Sequence, residues 1–216
     1  MNLLGIFGGT FDPIHYGHLR PAREARAALS LDALYLVPAA HPPHRRDPMA
    51  NARQRLAMAR LALEEFPELE VDDREIRAGG ISYTVRTLES YRAQLGDDAP
   101  LCLLLGTDAF DGINTWHQWQ QLPELAHLVV LQRPGWRPVV PEWCSARVSA
   151  RAEELHQSAA GKVHFLAVTP QEISATGLRR DLAQGADVSG RLPQAVLHYI
   201  HEHNLYQDQD DRRNAR

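Results

Sequence analysis

Two cysteines, no long apolar run and no surplus of positive charge set the first limits on this 216-residue chain. Cys102 and Cys144 stand far apart, and Cys102 lies inside the apolar run "PLCLLLG", so two buried thiols are expected in place of a disulfide or a metal site. The longest apolar runs, "ALYLVPAA" and "LCLLLG", fall well short of the ~18 residues that a membrane span requires. No basic side chain occurs before His15, so the start lacks the charged region of a signal peptide. The expectation is a soluble, cytoplasmic protein with no membrane partner. A net charge of -4 and a pI near 6.2 exclude a bulk electrostatic grip on nucleic acid, so any anion must be held locally.

What is present is the patterning of an α/β domain. "NLLGIFG", "ALYLVPA", "LEVDD", "PLCLLLG", "HLVVLQR" and "KVHFLAV" read as strands, the apolar ones as buried parallel strands. Helical spacing separates them. Between Tyr16 and Leu29 it falls on Leu19, Ala22, Ala25 and Leu29, provided Pro21 sits in the first turn. Further on it falls on Leu56, Ala59, Leu63 and Phe66, and along "TVRTLESYRAQL". "ARVSARAEELHQ" reads as helical, and two shorter helices are expected near Thr176–Gln184 and Pro193–His203. Five or six apolar strands alternating with helices give a Rossmann-like open parallel sheet with helices on both faces. Residues 1–206 are expected to form one domain, with the polar stretch 207–216 as a fraying tail. Ligands of such sheets bind beyond the carboxyl ends of the strands, where chain order reverses.

One stretch carries chemistry on its face. In "GGTFDPIHYGHL", Gly8 and Gly9 end the first strand and a helix begins near Tyr16 or Gly17. The glycines let backbone N–H groups approach a ligand, and the helix end adds free donors and about half a positive charge. Such a turn suits phosphate. It is neither the lysine-bearing phosphate loop nor the G-x-G-x-x-G dinucleotide pattern. It has instead His15 and His18, three apart across Gly17, so both rings can face the mouth of the turn. An imidazole N–H is a compact donor suited to charge that accumulates on a phosphate under attack.

"GGTFDPIHYGH" resembles the signature of the HxGH nucleotidyltransferases, in which a phosphate attacks the α-phosphate of a nucleoside triphosphate and pyrophosphate leaves. Within that superfamily the chain resembles the bacterial nicotinate-nucleotide adenylyltransferases. The likeness continues through "PAAHPPHR", "YTVRTL", "LLLGTDAF", "WHQW", "QRPG" and "ISATGLRR" to "AVLHYIHEHNLY". It implies a nucleotidyltransferase-type fold and transfer of an adenylyl group from ATP, escorted by Mg2+, to nicotinate mononucleotide in NAD biosynthesis. His15, His18 and Arg179 would be catalytic. Gly8, Gly9, Thr10, Phe11, Gly106, Asp108, Ile173, Ser174 and Thr176 would join them in binding ATP, Asp108 at the ribose. Backbone donors at Tyr83, Thr84 and Trp116 would receive the nicotinate carboxylate while an aromatic ring stacks on the pyridine, a site that maps to Tyr83, Thr84, Trp116 and His117. Arg45 and Arg133 are the candidates for the mononucleotide phosphate, Arg45 standing where the family often has lysine. No protein-held metal is implied.

Alternatives remain for several of these residues. Ser174 and Thr176 are ordinary helix caps, Asp108 an ordinary N-cap, and Trp116 and Trp119 ordinary core. His198, His201 and His203 read as a solvated last helical turn. For the whole chain, an adenylyltransferase acting on nicotinamide mononucleotide or phosphopantetheine is a second reading, and a nucleotide sensor without catalysis a third.

Overall fold

Apolar runs in this chain become strands buried on both faces. The computed structural model describes residues 2–43, 47–132 and 140–207. Among them the strands are Leu4–Gly9 (β1), Ala33–Pro38 (β2), Glu70–Val71 (β3), Leu101–Gly106 (β4), His127–Gln132 (β5), Val148–Ser149 (β6) and Val163–Ala167 (β7). The helices are Tyr16–Ala28 (α1), Ala52–Ala62 (α2), Arg74–Ala78 (α3), Thr84–Leu95 (α4), Thr107–Asp111 (α5), Leu122–Leu125 (α6), Glu142–Ser145 (α7), Ala175–Ala183 (α8) and Gln194–Glu202 (α9).

The strands form one sheet in the order β3-β2-β1-β4-β5-β7-β6, every pairing parallel. The chain therefore winds outward from β1 to β3, returns to β4 beside β1, and winds the other way. Chain order reverses between β1 and β4, which opens a crevice beyond their carboxyl ends. β4 is apolar throughout because both sides are covered. Cys102 and Leu104 join Leu34, Leu36, Val129 and Leu131 under α1, α2, α8 and α9. Leu101, Leu103 and Leu105 join Leu128 and Val130 under α4, α5, α6 and α7. Both cysteines are free and buried, and burial pushes both thiols up, that of Cys102 far above the usual range.

Several expectations are corrected. The strands number seven among the described residues, one more than the six stretches read as strands, since β6 contributes only two residues, too few to show as an apolar run. Residues 146–157 hold β6 and a short 3-10 helix, Ala152–His156, in place of one longer helix. Pro21 lies in the second turn of α1, where it deprives the Gly17 carbonyl of an intrahelical donor. The buried face of α2 is Arg55, Met58, Ala59 and Ala62, with Leu56 and Leu63 half-buried beside it. Of the tail, residues 208–216 lie outside the described set.

The amino end of the sheet is held by a buried arginine. The Arg92 guanidinium on α4 donates to the carbonyls of Leu125 at 2.7 Å, Ala99 at 2.6 Å and Ala159 at 2.8 Å. These carbonyls belong to segments entering β5 and β4 and preceding β7, so one side chain satisfies acceptors that would otherwise be stranded. Replacing Arg92 with Met is expected to lower the unfolding free energy by about 3 kcal/mol while leaving turnover per folded molecule within about twofold. Urea denaturation checks this, and an unchanged midpoint would remove Arg92 from the role.

Candidate active site

The carboxyl end of β1 turns sharply before α1. Phe11 adopts a left-handed backbone conformation, φ 50°, with its ring buried against Phe7 and His18. A bulky residue in that region is strained, and surrounding packing must hold it there. His15 is the N-cap of α1, its carbonyl accepting from the N–H groups of His18 at 2.8 Å and Leu19 at 3.2 Å. Its side chain caps nothing. Nδ1 of His15 is buried and has no hydrogen-bond partner among the described residues. Leaving such an atom unsatisfied costs about 1–3 kcal/mol.

The two imidazoles lie face to face, ring centroids 3.8 Å apart and tilted by 30°. The edge of Phe11 packs on His18 at 5.2 Å, which fixes the second ring from the other side. Burial and then the neighbouring His18 push the pKa of His15 down to about 2, so this imidazole is neutral throughout the working range. Gly17 lets the pair form. A Cβ there would stand 2.8 Å from Cε1 and Nδ1 of His15 and 3.1 Å from the Ile173 carbonyl, closer than packing tolerates. Gly8 and Gly106 serve the opposite purpose. At the ends of β1 and β4 a Cβ on either would meet nothing within 4 Å, so both strand ends face open space at the crevice.

α8 closes the site from a third side. Ser174 caps it, accepting from the Gly177 N–H at 3.1 Å, and Thr176 stands exposed in the first turn. Arg179 reaches from the next turn to the β1–α1 turn, donating to the Asp12 carbonyl at 2.6 Å. It also lies 3.9 Å from an Asp12 carboxylate oxygen. Arg180 instead points outward to Asp181. Asp108 is exposed in the first turn of α5, whose N-cap is Gly106, so the carboxylate is not consumed as a cap.

A second cluster forms beyond β2 and β4. Tyr83 is the N-cap of α4 with no side-chain cap, and Thr84 is its first residue. The Tyr83 ring faces His117 at 4.3 Å. Trp116 follows the short 3-10 helix Ile113–Thr115 and packs half-buried beside it. The loop after β2 ties onto this cluster through Ala40 N–H to Ser82 Oγ at 2.8 Å and Ser82 N–H to the His41 carbonyl at 2.9 Å. Thus Gly8, Gly9, Thr10, Phe11, His15, His18, Ile173 and Arg179 come together, with Gly106 and Asp108 on the adjacent strand end. Tyr83 and His117 form a separate pair. Arg45 and Arg133 lie outside the described residues.

Three residues that sequence reasoning left aside support this arrangement. The Asp12 carboxylate accepts from Met49 N–H at 2.9 Å, Ala50 N–H at 3.1 Å and the Tyr206 hydroxyl at 2.7 Å. Arg55, wholly buried, donates to the carbonyls of Thr10 at 2.7 Å, Ala40 at 2.9 Å and Ala50 at 3.2 Å. Burial pulls the Arg55 pKa below its ordinary value. The signal for Arg55 was its place at position 55 with Met58, Ala59 and Ala62, a spacing that belongs to a buried helical face.

The chain has wide similarity to known proteins. A family model described as cytidylyltransferase-like matches residues 6–181. A protein of Halorhodospira halophila is 48% identical over 210 residues, covering 95% of this chain and 96% of the relative. One from Pectobacterium atrosepticum is 45% identical over 212 residues, covering 95% and 99%. Both carry the name "Probable nicotinate-nucleotide adenylyltransferase". Among solved structures, Plasmodium falciparum nicotinic acid mononucleotide adenylyltransferase complexed with NaAD superposes with a TM-score of 0.74 at 16% identity, covering 95% of this chain and 98% of that one. At that identity the likeness concerns fold alone.

Two outcomes follow from this geometry. Gly17→Ala forces the His15 ring or the Ile173 segment to move, and is expected to lower kcat at least about 10²-fold, since misplacing a reacting group by an ångström has that effect. Steady-state kinetics test it, and a near-normal kcat would show that the ring pair tolerates displacement. The buried neutral His15 also links stability to acidity. An unfolded imidazole takes up a proton at about pH 6.5, whereas the folded one resists to about 2, so the contribution is full above the unfolded value and is lost progressively as pH falls from there toward the folded one. The slope per such histidine is about 1.4 kcal/mol per pH unit. His127, buried and also held neutral, contributes the same sign. Denaturation midpoints between pH 7 and 5 should fall for the natural chain and fall less for His15→Gln; equal slopes would contradict the assignment.

Proposed function

The chain belongs to the nicotinate-nucleotide adenylyltransferase family, and from that premise we propose how its residues transfer an adenylyl group from ATP to nicotinate mononucleotide. The observation that carries the proposal is the imidazole pair, 3.8 Å apart at the end of β1, beside the point where chain order reverses. The acceptor's phosphate oxygen attacks the α-phosphorus of ATP, the bond to the bridging oxygen breaks, and pyrophosphate leaves. The products are nicotinate adenine dinucleotide and pyrophosphate. No protein nucleophile is required, so catalysis consists of positioning and charge stabilisation.

His18 and His15 donate to the phosphate oxygens as charge grows on them, joined by the free N–H groups at the start of α1. Arg179 contributes the permanent positive charge on the leaving side. Ser174 and Thr176 line the start of α8 against the triphosphate, and Gly106 leaves space for the ribose that Asp108 accepts from. Mg2+ neutralises triphosphate charge when bound. Among the described residues no group of three His, Cys, Asp or Glu side chains is placed to hold an ion, so substrate oxygens and water are its fitting ligands.

The second cluster suits the nicotinate ring. Tyr83 or His117 offers a stacking face, and the open N-terminus of α4 at Thr84 favours a carboxylate over an uncharged carboxamide. Arg45 and Arg133 are proposed for the acceptor phosphate. No helix among the described residues is long and apolar enough to cross a membrane, and we place the enzyme in the cytoplasm, where ATP is available.

Pyrophosphate release with ATP and, in turn, nicotinate mononucleotide, nicotinamide mononucleotide and phosphopantetheine tests the reading, with the nicotinate acceptor expected to lead. His18→Ala is expected to lower kcat about 10²- to 10³-fold with little change in KM for ATP. A change confined to KM would make His18 a binding residue only.

A further inference from the structure

The closing motif "AVLHYIHEHNLY" has no part in the chemistry above, yet the structure brings its last residue to the catalytic turn. Tyr206 follows α9 and adopts a left-handed backbone conformation, φ 63°, that swings its ring inward. The ring is buried in the core, and its hydroxyl donates to Asp12 Oδ1 at 2.7 Å. Asp12 lies three residues before His15. The same carboxylate takes the backbone N–H groups of Met49 and Ala50, just ahead of α2. Its own carbonyl takes the Arg179 guanidinium. Burial beside Asp12 raises the Tyr206 pKa far above its ordinary value, so the hydroxyl stays a donor.

Two further links bind the same C-terminal segment to the turn. The Tyr16 N–H, directly after His15, donates to the Arg191 carbonyl at 3.0 Å, and Arg191 is paired with Asp181 of α8 at 2.6 Å. The Tyr16 hydroxyl donates to Glu65 at 2.7 Å, and the other Glu65 oxygen accepts from the N–H of Gln194 at the start of α9 at 3.1 Å. The residues on either side of the cap histidine are therefore fastened to chain that arrives nearly two hundred positions later.

We propose that Tyr206 is a positioning residue for adenylyl transfer, acting through Asp12 to fix both the His15 ring and the Arg179 guanidinium. A carboxylate held by three donors has one orientation; with the hydroxyl removed, its Oδ1 keeps only the Ala50 N–H and the turn gains freedom. Misalignment of that kind reduces transition-state stabilisation more than ground-state binding. The proposal rests on the adenylyl-transfer reading above.

The test is Tyr206→Phe in the full chain, which keeps the ring and deletes the hydroxyl. The expected result is a kcat about tenfold lower with KM for ATP and for nicotinate mononucleotide within about twofold. Imidazole nitrogen resonances of His15 and His18 should shift while those of His127, at the far end of the sheet, stay in place. Arg92→Met supplies the baseline for destabilisation alone, with turnover per folded molecule retained. A Tyr206→Phe enzyme with natural kcat, or with unmoved His15 and His18 resonances, overturns the proposal. Should the natural chain itself release no pyrophosphate, the adenylyl-transfer reading fails first, and the resonance comparison still decides whether Tyr206 sets the histidines.

Discussion

Everything at the carboxyl end of this sheet depends on how one aspartate is held. Asp12 gathers the β1–α1 turn, the approach to α2, the side chain from α8 and the last described turn of the chain around a single buried residue. A buried carboxylate is costly unless its oxygens are satisfied, and here three neutral donors and a nearby guanidinium meet that requirement. Because those donors come from three different segments, the turn cannot shift without breaking several bonds together. Pre-organisation of this kind lets a loop hold catalytic groups as firmly as a strand would.

The second constraint is electrostatic. The chain is acidic as a whole, yet the β1–α1 turn has Arg55 buried behind it and Arg179 beside it, with Asp12 and, toward Arg55, Glu75 as opposing carboxylates. Two guanidiniums therefore stand where the proposed mechanism puts the phosphates, although the protein's net charge is -4. Arg55 is satisfied by carbonyls and by no hydrogen-bonded carboxylate, so its charge is not cancelled by a direct partner. A buried charge acts through a poorly screening interior, and its field reaches the turn more effectively than a surface lysine would.

How much of this was legible beforehand varies with the kind of signal. Apolar runs located β1, β2, β4, β5 and β7, and helical spacing located α1, α2, α4, α8 and α9, because each of these buries a face in the core. β3 lies inside the stretch "LEVDD" read as a strand, whereas β6 escaped since two residues leave no run to read, and residues 146–157 were misread because helix-favouring side chains there yield to strand pairing with β7. The histidine pair was legible from the spacing around Gly17. The roles of Tyr83, Trp116 and His117 came from resemblance, since an aromatic in a loop reads equally well as core. Asp12 and Tyr206 were invisible as a pair: no local pattern links residues 194 positions apart, and only the folded chain brings them within a hydrogen bond.

The imidazole pair itself shows why this aspartate matters to chemistry and not only to stability. Two rings at 3.8 Å disfavour a shared double charge, and burial keeps His15 neutral, so before substrate arrives the site presents hydrogen-bond donors and not a fixed cation pair. A neutral donor binds a ground-state phosphate modestly and gains strength as negative charge develops on the oxygen it faces. That difference is realised only if the N–H points where the charge will grow. The direction of the ring is set by the backbone of residues 12–15, by the absence of a Cβ at Gly17, and by Phe11 against the second ring. The unpaired Nδ1 and the strained Phe11 backbone are then not defects left in an otherwise well-packed turn. In the proposed mechanism they are the free-energy cost of holding donors ready for a charge that exists only in transit, and the hydrogen bonds converging on Asp12 offset it.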